Sequence, residues 1–211
     1  MSIAKKIYFT PLGYVISLLQ HLMSPLYKRI MVYGFYNKKR RKFYKYTRIS
    51  SSAYITDVGN LDVGDNVWVN HNARIDASGG VKIGEGCQIG YGAMILSHSS
   101  HQAIRLNGRD FIKMDISERL GYIHKPVEIG DYTFIGGGAV VLPGVKIGKG
   151  CVVGVNSVVT KNIPDYAIVA GVPARIIGST IDTDKPFFDN ETVKDRYYEQ
   201  SLICREVLVN D

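Results

Sequence analysis

Aliphatic residues recur at Ile129, Ile135, Val141, Ile147, Val153 and Val159, every sixth position without a slip. The units read IGDYTF, IGGGAV, VLPGVK, IGKGCV and VGVNSV, and the fifth place is always small or β-branched: Thr133, Ala139, Val145, Cys151, Ser157. A period of six matches neither the 3.6 of an amphipathic helix nor the 2 of a half-buried strand. It is the signature of hexapeptide repeats wound into a parallel β-helix. Three hexapeptides make one triangular turn, each giving a short strand and a corner. The aliphatic residue points into the prism and the fifth residue fills the narrow space beside the corner. Glycine at the second and fourth places (Gly136, Gly138, Gly148, Gly150) relieves strain at the corners.

The same metre begins earlier, at Ile49 and Ile55, slips by two, and resumes at Val63, Val69 and Ile75. A two-residue insertion around Gly79-Gly80 precedes Ile83, Ile89 and Ile95. From 97 to 126 the pattern stops and the chain turns polar, with His98 and His101 at the mouth of the break. A long unpatterned insertion inside a compact repeat points to function. The division that follows is an N-terminal helical and basic segment (1–48), a β-helix domain (49–178) carrying the 97–126 insertion, and a C-terminal extension (179–211) with one short helix. The fold class is an all-β core. The apolar stretch from Ile3 to Met31, interrupted by Pro11, Gln20, His21 and Pro25, predicts one or two amphipathic helices. It is too short and too broken for a membrane span of about 20 residues, and no small-residue cleavage site follows it.

Charge alters this picture in one place. The formal net charge is +7, and Lys38, Lys39, Arg40, Arg41, Lys42, Lys45 and Arg48 form an acid-free basic run with Phe43, Tyr44 and Tyr46 interleaved. The basicity is therefore a local patch. An apolar helix beside such a patch suits the surface of an anionic membrane; a helix packed on a neighbouring subunit with a solvated charged face accounts for it equally. No nucleic-acid-binding module accompanies it. The three cysteines make no disulfide framework. Cys87 and Cys151 occupy fifth places, where a thiol acts as a compact apolar filler, in keeping with a reduced, cytoplasmic setting.

The hexapeptide run, the histidine-bearing insertion and the closing VVTKNIPDYAIVAGVPARII resemble the left-handed β-helix acyltransferases. Within these the chain is most similar to the sugar O-acetyltransferases, which include galactoside, maltose and polysaccharide-modifying enzymes. The resemblance covers roughly residues 63–178 and implies a left-handed coil, an exception to the usual right-handed crossover. It further implies a homotrimer with active sites between subunits and acetyl-CoA in the groove between neighbouring coils, with no metal. Matched position by position, the family's catalytic histidine falls on His101. The acceptor contacts fall on Asn70 and Asp76, the backbone NH facing the thioester oxygen on Gly137, and the cofactor contacts on Val155, Thr160, Lys161 and Arg175. An aromatic position often held by Trp is Phe134 here. The longer insertion and the basic N-terminal segment also depart from the small-sugar enzymes.

These residues suit acetyl transfer from acetyl-CoA to a hydroxyl. Imidazole titrates near pH 6.5 and can take the alcohol proton, and a backbone NH can meet the developing oxyanion. His98 is the rival base, since H-x-x-H lets either ring face the groove. The expected acceptor is a sugar of a surface polysaccharide or its lipid- or nucleotide-linked precursor, with N-acetylation of an amino sugar nucleotide as the alternative. A different class would recruit His71, His98, His101 and His124 to a three-histidine zinc site of the β-helix carbonic anhydrase kind, and a non-catalytic scaffold would bind no CoA.

Overall fold

The computed structural model describes residues 10–23 and 30–203. They fall into two compact units, residues 1–30 and 31–211. In the first, the described element is a single helix, Pro11–Met23; the rest of the apolar stretch before Ile30 lies outside the described residues.

The second unit is the coil that the metre predicts. Its strands form three parallel faces. One stacks Trp68–Val69, Gln88–Ile89, Phe134–Ile135, Val152–Val153 and Ala167–Ala170. The next stacks Tyr54–Thr56, Arg74–Asp76, Met94–Leu96, Val140–Val141 and Val158–Val159, and the third Leu61–Val63, Val81–Ile83, Val127–Ile129 and Lys146–Ile147. Each aliphatic residue of the metre sits over its counterpart one turn away: Ile129 on Ile147, Ile135 on Val153, Val141 on Val159. Across the insertion the register is unbroken, with Ile83 beside Ile129, Ile89 beside Ile135 and Ile95 beside Val141. The columns make one continuous hydrophobic core, so each turn depends on its neighbours for burial.

The fifth-place residues Thr133, Ala139, Val145, Cys151 and Ser157 are all buried. Those with polar atoms find partners: Thr133 Oγ1 donates to Gly148 O (2.8 Å), Cys151 Sγ to Pro164 O (3.0 Å), and Ser157 Oγ accepts from Gly171 N (3.0 Å). The two glycine places differ in their reason. A Cβ on Gly136 would lie 2.6 Å from Val153 O in the next turn, a matter of space, whereas Gly138 has φ +67 and needs the left-handed region. Asn66, Asn72 and Asn156 hold positive φ at other corners, as Asn tolerates.

The N-terminal basic run, to which its pattern assigns no element, is strand and turn. It forms the turn and second strand of an antiparallel hairpin, Met31–Asn37 with Lys42–Ser50, whose Arg48 and Ile49 pair in parallel with Trp68 and Val69. The coil thus begins inside this hairpin. Asn37 Nδ2 donates to Asp62 Oδ1 (2.7 Å) and Val63 O (2.8 Å), and Thr47 Oγ1 to Gly64 O (2.9 Å), so the hairpin closes the first turn of the stack. At the other end the described part of the extension holds more than the one short helix expected, with helices at Thr180–Asp184 and Glu191–Arg196. The stretch from residue 204 to Leu208 and beyond lies outside the described residues.

Outward-facing side chains divide the faces. The third face presents Asp62, Lys82, Glu128 and Lys146, with Lys146 bridging Glu128 at 3.0 Å. The first presents Trp68, Gln88, Phe134, Val152 and Ile168, and the second Tyr54, Arg74, Met94, Val140 and Val158.

Candidate active site

Ile75 points into the core, so its neighbour Asp76 faces outward at the corner between the second and third faces. Asp76 pairs with Leu96 of the next turn, and there the chain leaves the coil. His98–Ser99 pairs antiparallel with Ile123–His124 and pinches the insertion shut at its base. Beyond this neck lie a short helix, Ala103–Asn107, and two 3-10 segments, Gly108–Lys113 and Ile116–Glu118.

The neck folds onto Asp76. Oδ2 accepts from Ser97 N, Ser97 Oγ and His98 N, each at 3.1 Å, and lies 2.6 Å from His98 Nδ1. Oδ1 accepts from Thr56 Oγ1 (3.0 Å) and Ser78 N (3.2 Å). Burial opposes ionisation, but the hydrogen bonds from His98, Ser78 and Ser97 outweigh it and hold the Asp76 carboxyl well below the usual carboxylate range. A carboxylate only accepts, so the neutral His98 ring carries its proton on Nδ1 and its lone pair on Nε2. Tyr122 stacks on that ring at 5.8 Å and 8°. The His98 side chain is still 41% exposed, against 13% for Asp76. The result is an oriented, accessible imidazole.

His101 is placed differently. It stands exposed just before the insertion's helix, with Nδ1 2.8 Å from Ser99 Oγ. Asp76 therefore engages His98 and not His101. Asn70 is buried and donates its amide to Ile89 O (3.1 Å), a rung of the coil. His71 lies at another corner, Nδ1 2.6 Å from Ser50 Oγ and its ring beside Tyr91. His124 is the cross-strand partner of His98. Among the described residues no three His, Cys, Asp or Glu side chains converge as metal ligands.

Gly137 occupies the corner between the first and second faces. Its carbonyl accepts from Asn156 N (2.9 Å), while its own NH has no hydrogen-bond partner among the described residues. Val155 follows at the same corner one turn on and is 69% exposed. Arg175 lies past the top of that corner, opening the strand Arg175–Ser179, exposed, its Nη1 donating to Ala174 O. Thr160 and Lys161 instead share the corner column of Asp76 and His98, also exposed. None of Lys161 and Arg175 meets a carboxylate among the described residues. Within one copy the imidazole and the free NH thus sit at opposite edges of the second face.

Sequence reasoning missed Thr56, Ser78, Ser97 and Tyr122, which hold the Asp76–His98 pair. Their signal was the register itself, because the metre places Thr56, Asp76 and Leu96 in one column. The cysteines stay in packing places: both are buried, and burial pushes the Cys87 thiol up to about 12 and raises Cys151 as well. Neither is a nucleophile near neutrality.

Residues 126–161 match the family described as bacterial transferase hexapeptide (six repeats). The galactoside O-acetyltransferase of Escherichia coli (strain K12) is 31% identical over 142 residues, covering 66% of this chain and 64% of that protein. Among solved structures, a galactoside acetyltransferase in complex with coenzyme A is 32% identical with a TM-score of 0.53, over 63% of this chain and 62% of that one. A hexapeptide-repeat acetyltransferase of Vibrio cholerae O1 biovar eltor, complexed with acetyl coenzyme A, is 29% identical with a TM-score of 0.52, over 60% and 64%. The chain spans less than two thirds of the length of the curated relatives it matches. With its hexapeptide metre, its three-faced stack and these likenesses, the chain carries a bacterial transferase hexapeptide segment over residues 126–161, is similar to galactoside and other hexapeptide-repeat acetyltransferases, and folds as a left-handed parallel β-helix.

Proposed function

We propose that the protein transfers an acetyl group from acetyl-CoA to a sugar hydroxyl, the acceptor belonging to a surface polysaccharide or to its lipid- or nucleotide-linked precursor. The observation that carries the reading is the Asp76–His98 pair at the neck of the insertion. With Nδ1 held at 2.6 Å from the carboxylate, Nε2 is the atom left to accept the hydroxyl proton as the oxygen attacks the thioester carbonyl. Asp76 fixes the ring and offsets the positive charge it gains. The proton then passes to the departing thiolate. The free NH of Gly137 suits the negative charge that develops on the carbonyl oxygen.

The acetyl donor fits the exposed residues available. Val155 offers an apolar step beside Gly137, and Lys161 and Arg175, without carboxylate partners, suit phosphates, Arg in a bidentate manner. Because the imidazole and Gly137 lie at opposite edges of one face, a complete site needs the edge of a second copy. The largely apolar outer residues on the first and second faces, with Arg74 and Gln88 the polar exceptions in their central columns, against the run of charges on the third, favour a cyclic homotrimer packed through those faces. A precursor carried on a lipid would be met at the inner face of a membrane.

The position-by-position resemblance points to His101 as the base; the carboxylate contact favours His98. Replacing each by Ala decides between them. His98→Ala is expected to abolish transfer while acetyl-CoA binding persists, and His101→Ala to retain it. The reverse result would return the role to His101, and loss of acetyl transfer by neither would remove the histidine mechanism.

A further inference from the structure

Before Asp57 the chain carries eleven Lys and Arg and no Asp or Glu. Seven of them lie on the capping hairpin, between Lys38 and Arg48. Part of that hairpin is committed to the coil: Asn37, Tyr44 and Thr47 are buried, and Phe35 packs on the core. The remainder faces solvent. Tyr33, Tyr36, Phe43 and Tyr46 are each more than half exposed, set among Lys38, Lys39, Arg41, Lys42 and Lys45. Arg40 is held by Asp62 at 2.7 Å, and Arg48 lies over the Trp68 ring at 4.6 Å. The other five cations have no carboxylate partner among the described residues.

Cations without carboxylate partners, Lys42 and Lys45 lying over the Tyr44 and Tyr46 rings, interleaved with exposed aromatic rings, answer to two forces at once. Cations are drawn to anionic headgroups, and Tyr and Phe rings settle at the level where apolar chains meet water. A bare polyanion would use the first and leave the second unexplained. We propose that this hairpin docks the protein on an anionic lipid bilayer, its rings at headgroup depth and its lysines against lipid phosphates. The helix Pro11–Met23, taken by itself, suits the same interface. It has no Lys, Arg, Asp or Glu, and Leu12, Val15, Ile16 and Leu19 recur at helical spacing and are exposed. At about 1.5 Å per residue it is too short to cross a hydrocarbon core of about 30 Å, and no helix among the described residues is long and apolar enough to span. In the trimer proposed above, cyclic symmetry sets three such hairpins at one level, so that weak contacts add. The docking itself stands on the hairpin whether or not the acetyl-transfer reading is right.

The test is co-sedimentation of the full chain with vesicles of phosphatidylcholine alone and of phosphatidylcholine mixed with phosphatidylglycerol. Two variants accompany it, Lys38→Gln/Lys39→Gln/Arg41→Gln/Lys45→Gln and Tyr36→Ser/Tyr46→Ser, with thermal melts to show that each folds. The parent is expected to bind the mixed vesicles and not the neutral ones. The charge variant should lose partitioning by roughly two to three orders of magnitude, and the aromatic variant by roughly tenfold. Transfer to a soluble acceptor, if present, should not change in either. Undiminished binding by the charge variant, or no binding of the parent at low salt, overturns the proposal. Undiminished binding by the aromatic variant, with equal retention of both proteins on dextran sulfate, overturns the lipid as the occupant and leaves a plain polyanion site.

Discussion

Asp76→Asn keeps the shape of the side chain and removes its charge, so it tests the positioning of His98 more sharply than a truncation. The carboxylate accepts from five donors besides the imidazole: Ser97 N, Ser97 Oγ, His98 N, Thr56 Oγ1 and Ser78 N. An amide has a single accepting oxygen. With that oxygen toward Ser97 and His98, the NH2 faces the Thr56 hydroxyl, which can rotate to accept, and the Ser78 NH, which cannot. One unmet donor and the loss of charge assistance should cost about 2–3 kcal/mol of stability near neutral pH. The sign of its pH dependence follows from the depressed pKa. The ionised carboxylate stabilises the fold above its ordinary value of 3.8, and the contribution fades as acidification protonates it. The gap in Tm between parent and Asp76→Asn is therefore widest near neutrality, begins to narrow below about pH 4, and closes only at the far lower pH where the native carboxyl itself takes up a proton. In transfer, general-base catalysis contributes roughly 10²–10⁴, and kcat should fall by about 10²-fold or more while the KM for acetyl-CoA stays within about threefold. Release of free CoA thiol, followed with acetyl-CoA varied at a saturating sugar acceptor, reads both constants. Turnover of Asp76→Asn within about threefold of the parent, with its melting behaviour as described, would refute the positioning role.

Other expectations follow from the coil and its groove. Ile147, 3% exposed and stacked between Ile129 and Ile163, becomes an unpaired buried charge in Ile147→Asp; a loss of about 4 kcal/mol or more is expected, visible as collapse of the thermal melt. Lys161→Ala and Arg175→Ala should each raise the KM for acetyl-CoA roughly three- to tenfold with kcat nearly unchanged, because the role proposed for them, holding donor phosphates, acts in ground and transition state alike. Iodoacetamide at neutral pH should leave Cys87 and Cys151 unmodified in the folded protein, since burial keeps both thiols protonated; mass spectrometry of the native and unfolded chain checks it.

The metre made the prism legible because one force, burial of an aliphatic column, acts at every sixth residue. The hairpin was not legible for the opposite reason. MVYGFYN has apolar or aromatic residues almost throughout, and its partner strand buries Tyr44, Thr47 and Ser50 at intervals of three, not two. Neither carries the alternation that marks a half-buried strand. What turned these residues into strands is tertiary: Asn37 and Thr47 tied to the carbonyls of the first turn, and Arg48 and Ile49 in register with Trp68 and Val69.

The two histidines separate on a similar point. His98 and His101 are near neighbours in an unpatterned loop, and residue type does not rank them. The fold does, because Asp76 pairs with Leu96 where the chain leaves the coil, and the ring brought back to that carboxylate is His98, 2.6 Å away, while His101 turns to Ser99 Oγ. Once His98 is fixed at this edge of the second face, the free NH of Gly137 at the other edge becomes informative. The strands Val140–Val141 and Met94–Leu96 lie between them, and a single copy has no means of bringing a hydroxyl to one and a thioester to the other. Either the two groups serve unrelated purposes, or the edge that carries His98 meets the Gly137 edge of another copy. The outward column Tyr54, Arg74, Met94, Val140 and Val158 on the intervening face carries a single charge and argues for the second, since a coil that worked alone would gain by making that face as charged as the one carrying Lys82, Glu128 and Lys146.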